Sequence, residues 1–211
     1  MRRRPRPPRL SLVRITVFGA SGRTGRSVIE QALEHGHEVV AFVRDGSAFG
    51  EPGDKLDVDE GDARDAEAVA EAIRGSDAVI SMLALASAGD EPEHSEATRT
   101  VVDAARAEGV RRVVVTANAT VFDDEEVTGE FAAQAREHRR NRETLRESGL
   151  DWTLLASARL GDEPPRGIYE ATEDVKAPGR TIAPSDLAKA ALDTLARDDW
   201  VGHIVGVAGA A

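Results

Sequence analysis

Cysteine is absent from all 211 residues. Disulfides, thiolate zinc sites, iron–sulfur clusters and a cysteine nucleophile are excluded with it, and the chain needs no oxidising compartment. Lysine supplies only three of the 27 basic residues: Lys55, Lys176 and Lys189. Tyrosine occurs once, at Tyr169. No stretch approaches the roughly 18 uninterrupted apolar residues that a membrane span requires. What remains is ordinary for a soluble globular chain, with 41% hydrophobic and 31% charged residues. That balance excludes a collagen-like, mucin-like or disordered protein. The length suits one domain with one sizeable core.

The charge is lopsided. Five arginines and no acid fall within residues 1–9, and removing them from the net −11 leaves −16 on the rest. A body that acidic repels phosphate backbones, so nucleic acid is not an expected partner. An acid-rich, lysine-poor surface suits high salt. A halophilic source and GC-rich codon usage both account for it. Residues 1–10 are expected to be a disordered basic tail. A twin-arginine export signal is disfavoured because Arg14 interrupts its apolar stretch. The expected location is cytoplasmic.

From residue 11 the pattern alternates strand and helix. Strands are expected at Val13–Phe18, Glu38–Val43, Lys55–Glu60, Asp77–Leu83, Arg111–Thr116, Asp151–Ala156 and His203–Val207. Helices are expected after Gly25, then over Ala66–Arg74, Glu93–Glu108, Gly129–Ser148 and from Pro184 to about Arg197. This predicts a single α/β domain over 11–211, a doubly wound and mostly parallel sheet of the Rossmann type. Segments 84–92 and 158–183 carry no clear element and follow strand C-termini. They are the expected substrate walls, because ligands of such sheets bind at that edge.

The sharpest motif is Gly19-Ala20-Ser21-Gly22-Arg23-Thr24-Gly25, between a buried strand and an amphipathic helix. Gly19 permits a tight turn, Gly22 lets backbone approach a pyrophosphate, and Gly25 lets the helix pack on the sheet. The helix N-terminus then offers free N–H groups and a positive dipole end to the phosphates, with Ser21 and Thr24 as further donors. At the end of the second strand stands Arg44, where an arginine can clamp a 2′-phosphate. Arg23 could approach the same phosphate. NADP(H) is therefore expected over NAD(H), although Asp45 could still reach the ribose. Asp62 is placed either to contact adenine or to cap the next helix. Ala63 beside it, Leu83 and Ala84 after the fourth strand, Thr116 and Ala117 at the fifth, and Ser157 at the sixth complete the candidate cofactor contacts.

The Tyr-x-x-x-Lys pair of short-chain dehydrogenases is missing, since the residue four beyond Tyr169 is Glu173. Ketone reduction and sugar-nucleotide epimerisation lose support without that acid. Hydride transfer to an acceptor that needs no enzymic proton survives.

The sequence resembles the atypical short-chain dehydrogenases of the NmrA-like class, and within them the biliverdin-IXβ reductase/flavin reductase family. The resemblance runs from about Ile15 to Val207. It rests on the glycine loop, Val43-Arg44-Asp45, Gly61-Asp62, Asp77-Ala-Val-Ile80, Leu145-Arg-Glu-Ser-Gly-Leu150, Leu160-Gly-Asp162, Gly167-Ile-Tyr169 and Ser185-Asp-Leu187. It implies an NADPH-dependent reductase of FMN, another flavin or a similar conjugated acceptor. It also implies three catalytic candidates. Asn118 stands where the family has a pocket serine. Arg159 stands where it has a histidine, and could hold an anionic substrate but not act as an acid. His138 lies in the long helix at a position where the family also has histidine. These departures put biliverdin turnover in doubt more than flavin reduction.

A non-catalytic NADP(H) sensor is the rival expectation. No metal site is expected, since Asp123–Glu126 reads as a solvated turn. His94 is assigned no role, and Trp152 and Trp200 read as core or rim rather than as stacking platforms. A monomer or weak homodimer acting on a small molecule is expected.

Overall fold

The computed structural model describes residues 12–50, 53–84, 93–122 and 132–210. The basic tail, most of segment 84–92 and the acidic run Asp123–Glu126 lie outside the described residues. The strands are β1 (Arg14–Phe18), β2 (Glu38–Val43), β3 (Leu56–Glu60), β4 (Ala78–Ser81), β5 (Arg112–Asn118), β6 (Asp151–Ser157), β7 (Arg159–Leu160), β8 (Tyr169–Glu173), β9 (Thr181–Ile182) and β10 (His203–Gly209). The helices are α1 (Arg23–Glu34), α2 (Ala66–Ile73), α3 (Glu93–Ala107), α4 (Ala132–Glu147) and α5 (Pro184–Thr194).

Eight strands form one sheet in the order β3-β2-β1-β4-β5-β6-β10-β8, and only β8 runs antiparallel to its neighbour. Side chains alternate across it with period two. Ile15, Val17, Val39, Ala41 and Ile80 pack with α1 and α5. Phe18, Val40, Phe42, Val79 and Val113 pack with α2, α3 and α4. Burial on both faces is why these strands read as unbroken apolar runs in the sequence. The strand order reverses between β1 and β4, and a crevice opens there at the C-terminal edge. Trp152 and Trp200 are buried, as expected.

The chain 158–183 differs from its expected featurelessness. It holds β7, β8 and β9, of which β7 and β9 pair as a separate parallel ribbon. These pieces are two to five residues long and mostly exposed or half-buried, so they lack the apolar pattern that marks the other strands. Among the described residues no helix is long and apolar enough to cross a membrane.

Candidate functional site

Gly19 leaves β1 with φ of +70°, in the left-handed region that favours glycine. A Cβ there would stand 2.5 Å from the Met82 carbonyl oxygen, and one on Gly25 would stand 2.2 Å from the Gly19 oxygen. Both contacts are with backbone, so neither residue can be larger without moving the loop. Gly22 is different. Its nearest neighbour would be the Gly19 oxygen at 3.3 Å, and it is exposed on the cleft. Gly22 is also the N-cap of α1, where no side chain bonds the free N–H groups and the first turn carries no acid. The start of α1 is thus an open anion seat.

The adjoining cleft has a volume of about 370 Å³. Of the sequence candidates, Gly19, Ser21, Gly22, Arg44, Asp62, Ala63, Leu83 and Ala84 line it together. Ala20, Thr24 and Gly25 are buried behind it and act through the shape of the loop. Asp62 does not cap α2; Asp65 does, accepting from the N–H groups of Glu67 and Ala68. Asp62 is instead gripped by Arg64. The Arg64 N–H and Nε donate to Asp62 Oδ1 at 2.9 and 3.1 Å, and Nη2 donates to Oδ2 at 2.8 Å. Those hydrogen bonds, helped by the nearby Arg44 charge, hold the carboxyl down at about 2. Asp45 turns away to accept from the Ser47 N–H at 2.9 Å. Arg44 is exposed and makes no hydrogen bond or ion pair among the described residues. The cleft therefore presents an uncommitted guanidinium beside a fixed carboxylate. Arg64 and His94, which also line it, carried no sequence signal beyond proximity to Asp62 and a helix start.

On the other side of β4, the ends of β5 and β6 set Asn118 beside Ser157 in register. Asn118 Oδ1 accepts from the Thr120 N–H at 3.0 Å, and Nδ2 donates to Gln134 Oε1 at 3.1 Å. Among the described residues, one amide hydrogen of Asn118 has no partner and is free for a ligand. Thr116 spends its hydroxyl on the Ser81 carbonyl, and Ala117 is buried on the opposite face. His138 is only 5% exposed, and its Nε2 accepts the Asn118 backbone N–H at 3.3 Å. Burial first, then the neighbouring His94, pushes its pKa down to about 4. His138 is thus a neutral, buried hydrogen-bond acceptor near neutral pH. Arg159 is exposed on β7. Arg23 pairs with Asp162 at 2.5 Å, tying the glycine loop to the 158–183 segment. That segment also bounds a separate hollow of about 750 Å³, lined by Arg166, Arg180 and Asp186 among others, and none of its walls belongs to the glycine-loop cleft.

Tyr169 and a lysine do meet, but elsewhere. The Tyr169 hydroxyl donates to Asp193 Oδ2 at 2.8 Å, and Lys189 Nζ donates to the same oxygen at 2.7 Å. Burial and the Asp193 carboxylate raise the phenol's pKa, the reverse of activation. One convergence of metal-ligating groups exists among the described residues: Glu173, Asp174 and His203. It sits at the start of β10, at the opposite end from the cleft, and His203 Nδ1 is already 2.7 Å from Asp174 Oδ2.

Comparison with known proteins agrees with this geometry. YwnB of Bacillus subtilis strain 168, itself uncharacterized, is 31% identical over 201 residues, covering 87% of this chain and 92% of its own. A short-chain dehydrogenase/reductase from Veillonella parvula DSM 2008, solved in complex with NADP, has a TM-score of 0.76 at 19% identity, covering 92% and 94% of the two chains. A Streptococcus pneumoniae TIGR4 protein, proposed to be an NADH-flavin reductase, has a TM-score of 0.76 at 20% identity, covering 94% and 100%. The family described as NAD(P)H-binding matches residues 19–198. With its open glycine loop and Rossmann-type sheet, the chain belongs to the NAD(P)H-binding family.

Proposed function

We propose that the protein is an NADPH-dependent reductase that delivers hydride to a flavin-like or other conjugated acceptor. The observation that carries this reading is the pairing of an uncapped α1 N-terminus with a cleft that, among the described residues, holds no Tyr–Lys acid pair. The N–H groups at the start of α1 take the pyrophosphate. Arg44 takes the 2′-phosphate, and the Arg64-fixed Asp62 faces the adenosine. That places the nicotinamide half toward the ends of β5 and β6. There the spare Asn118 amide hydrogen orients the carboxamide or the acceptor. Arg159 is available to an anionic acceptor. When bound, the nicotinamide supplies the hydride. The chain supplies proximity and orientation, and water supplies the proton. The Streptococcus pneumoniae neighbour supports the acceptor class. The acceptor is a small molecule, and the protein acts in the cytoplasm as a monomer or weak homodimer.

The test is NADPH consumption with FMN, riboflavin, biliverdin and a quinone offered in turn, at low and high salt, with NADH alongside. Turnover of a flavin well above the uncatalysed rate supports the reductase. Tight NADPH binding with no turnover of any acceptor overturns it and leaves a redox sensor.

A further inference from the structure

We propose that His94 and His138 are positioning residues that brace the two halves of the dinucleotide site from beneath. The inference rests on the cofactor placement proposed above. His94 Nε2 lies 3.0 Å from the Leu83 carbonyl oxygen. A carbonyl can only accept, so Nε2 carries the proton. Nδ1 is then the acceptor, and Asn141 Nδ2, on a fully buried residue, stands 2.9 Å away to donate to it. His138 has the opposite tautomer. Its Nε2 accepts the Asn118 backbone N–H, so its proton sits on Nδ1, which is buried without a hydrogen-bond partner.

The two rings touch edge to face, with centroids 5.9 Å apart and planes at 89°. Each holds the end of a different strand. Leu83 follows β4 and shares the cleft wall with Arg44 and Asp62, on the adenosine side. Asn118 ends β5 beside Ser157, on the nicotinamide side. The pair therefore ties two strand ends that no ladder hydrogen bond reaches beyond Ser81, where the β4–β5 register stops. A leucine at 138 would fill much of the volume without leaving a buried orphan N–H. It could not take the half-buried Asn118 N–H, which would lose its side-chain acceptor. Retaining an imidazole with one unsatisfied nitrogen is intelligible if the Asn118 bond is what matters.

The experiment measures affinity for NADP⁺ and for its adenosine-half fragment 2′,5′-ADP in the full-length protein. Each histidine is replaced by leucine, which removes the bond, and by glutamine, which can restore it. His138→Leu should weaken NADP⁺ about tenfold and leave 2′,5′-ADP within about twofold, as expected for one lost positioning bond. His94→Leu should weaken both ligands about tenfold. Both Gln variants should return within about threefold of wild type. A His138→Leu variant that weakens both ligands equally, a His94→Leu variant that spares 2′,5′-ADP, or leucine variants that move neither ligand while remaining folded, overturn the proposal. If His138→Leu does not fold, His138→Phe takes its place. Solvent exchange of the wild-type Asn118 amide then reads the bond directly: protection is expected, and free exchange overturns the bond. Wild-type protein that fails to bind 2′,5′-ADP would instead sink the cofactor placement.

Discussion

Helices α1, α2 and α3 all begin at the C-terminal edge of the sheet, and among the described residues α1 alone of the three has no carboxylate on its first-turn N–H groups. Asp65 closes α2 from its own N-cap position. Glu137, reaching across from α4, accepts the Ser95 N–H in the first turn of α3 at 2.8 Å. The start of α1 has a glycine cap and no acid. All three termini carry the same positive dipole end. Two satisfy it with the protein's own carboxylates, and the third leaves its N–H groups open. A helix start left open beside two closed ones is the feature on which the proposed seating of the dinucleotide rests.

Moving a carboxylate to the open terminus should have the largest effect. Gly22→Asp gives α1 the cap that α2 has. NADPH affinity should fall by about a thousandfold, roughly 4 kcal/mol, since like charges set together cost several kcal/mol. Thermal stability should hold or rise. Unchanged affinity by titration calorimetry would break the comparison.

The closed α3–α4 side should reveal itself by pH. Burial and His94 hold His138 at about 4 against an ordinary 6.5, with Glu137 opposing weakly. Between those values the unfolded chain binds a proton that the folded chain refuses. Stability is therefore full above pH 6.5 and declines as pH falls toward 4, by about 3 kcal/mol in all. Urea melts across that window should show the decline, and His138→Gln should flatten it. An equally steep decline in the variant would place the titration elsewhere.

Arg44→Ser should cost NADPH about tenfold in affinity, about 1.4 kcal/mol, and leave NADH within about twofold. An equal loss for both would move the 2′-phosphate away from Arg44. Asp65→Ala should be the mildest change. It removes about 1 kcal/mol of stability, read as a lower melting temperature, and leaves NADPH affinity unaltered.

Much of the glycine-loop side of the cleft was legible because local chain geometry specifies it. Gly19 and Gly25 are required by contacts within the loop and by the adjoining end of β4, and Arg44 follows directly from the end of β2. Asp62 and Asp65 both suited a helix start in the sequence, and only the fold gives the cap to one and the Arg64 grip to the other. The side toward β5, β6 and the 158–183 segment was less legible because its contacts are distant in sequence. Arg23 meets Asp162 across 139 residues, and His94 meets Asn141 across 47. A histidine at a helix start and another in a charged helix show nothing of each other until α3 and α4 pack together. Strands β7 to β9 escaped notice because pieces so short and exposed have no periodicity to read.

The most direct test of the account is a crystal structure of the protein with NADP⁺. The pyrophosphate oxygens should lie within about 3 Å of backbone N–H groups at the start of α1, with the 2′-phosphate on Arg44. A dinucleotide seated in the hollow beside Arg166 and Arg180, or one whose phosphates avoid Gly22, would contradict it.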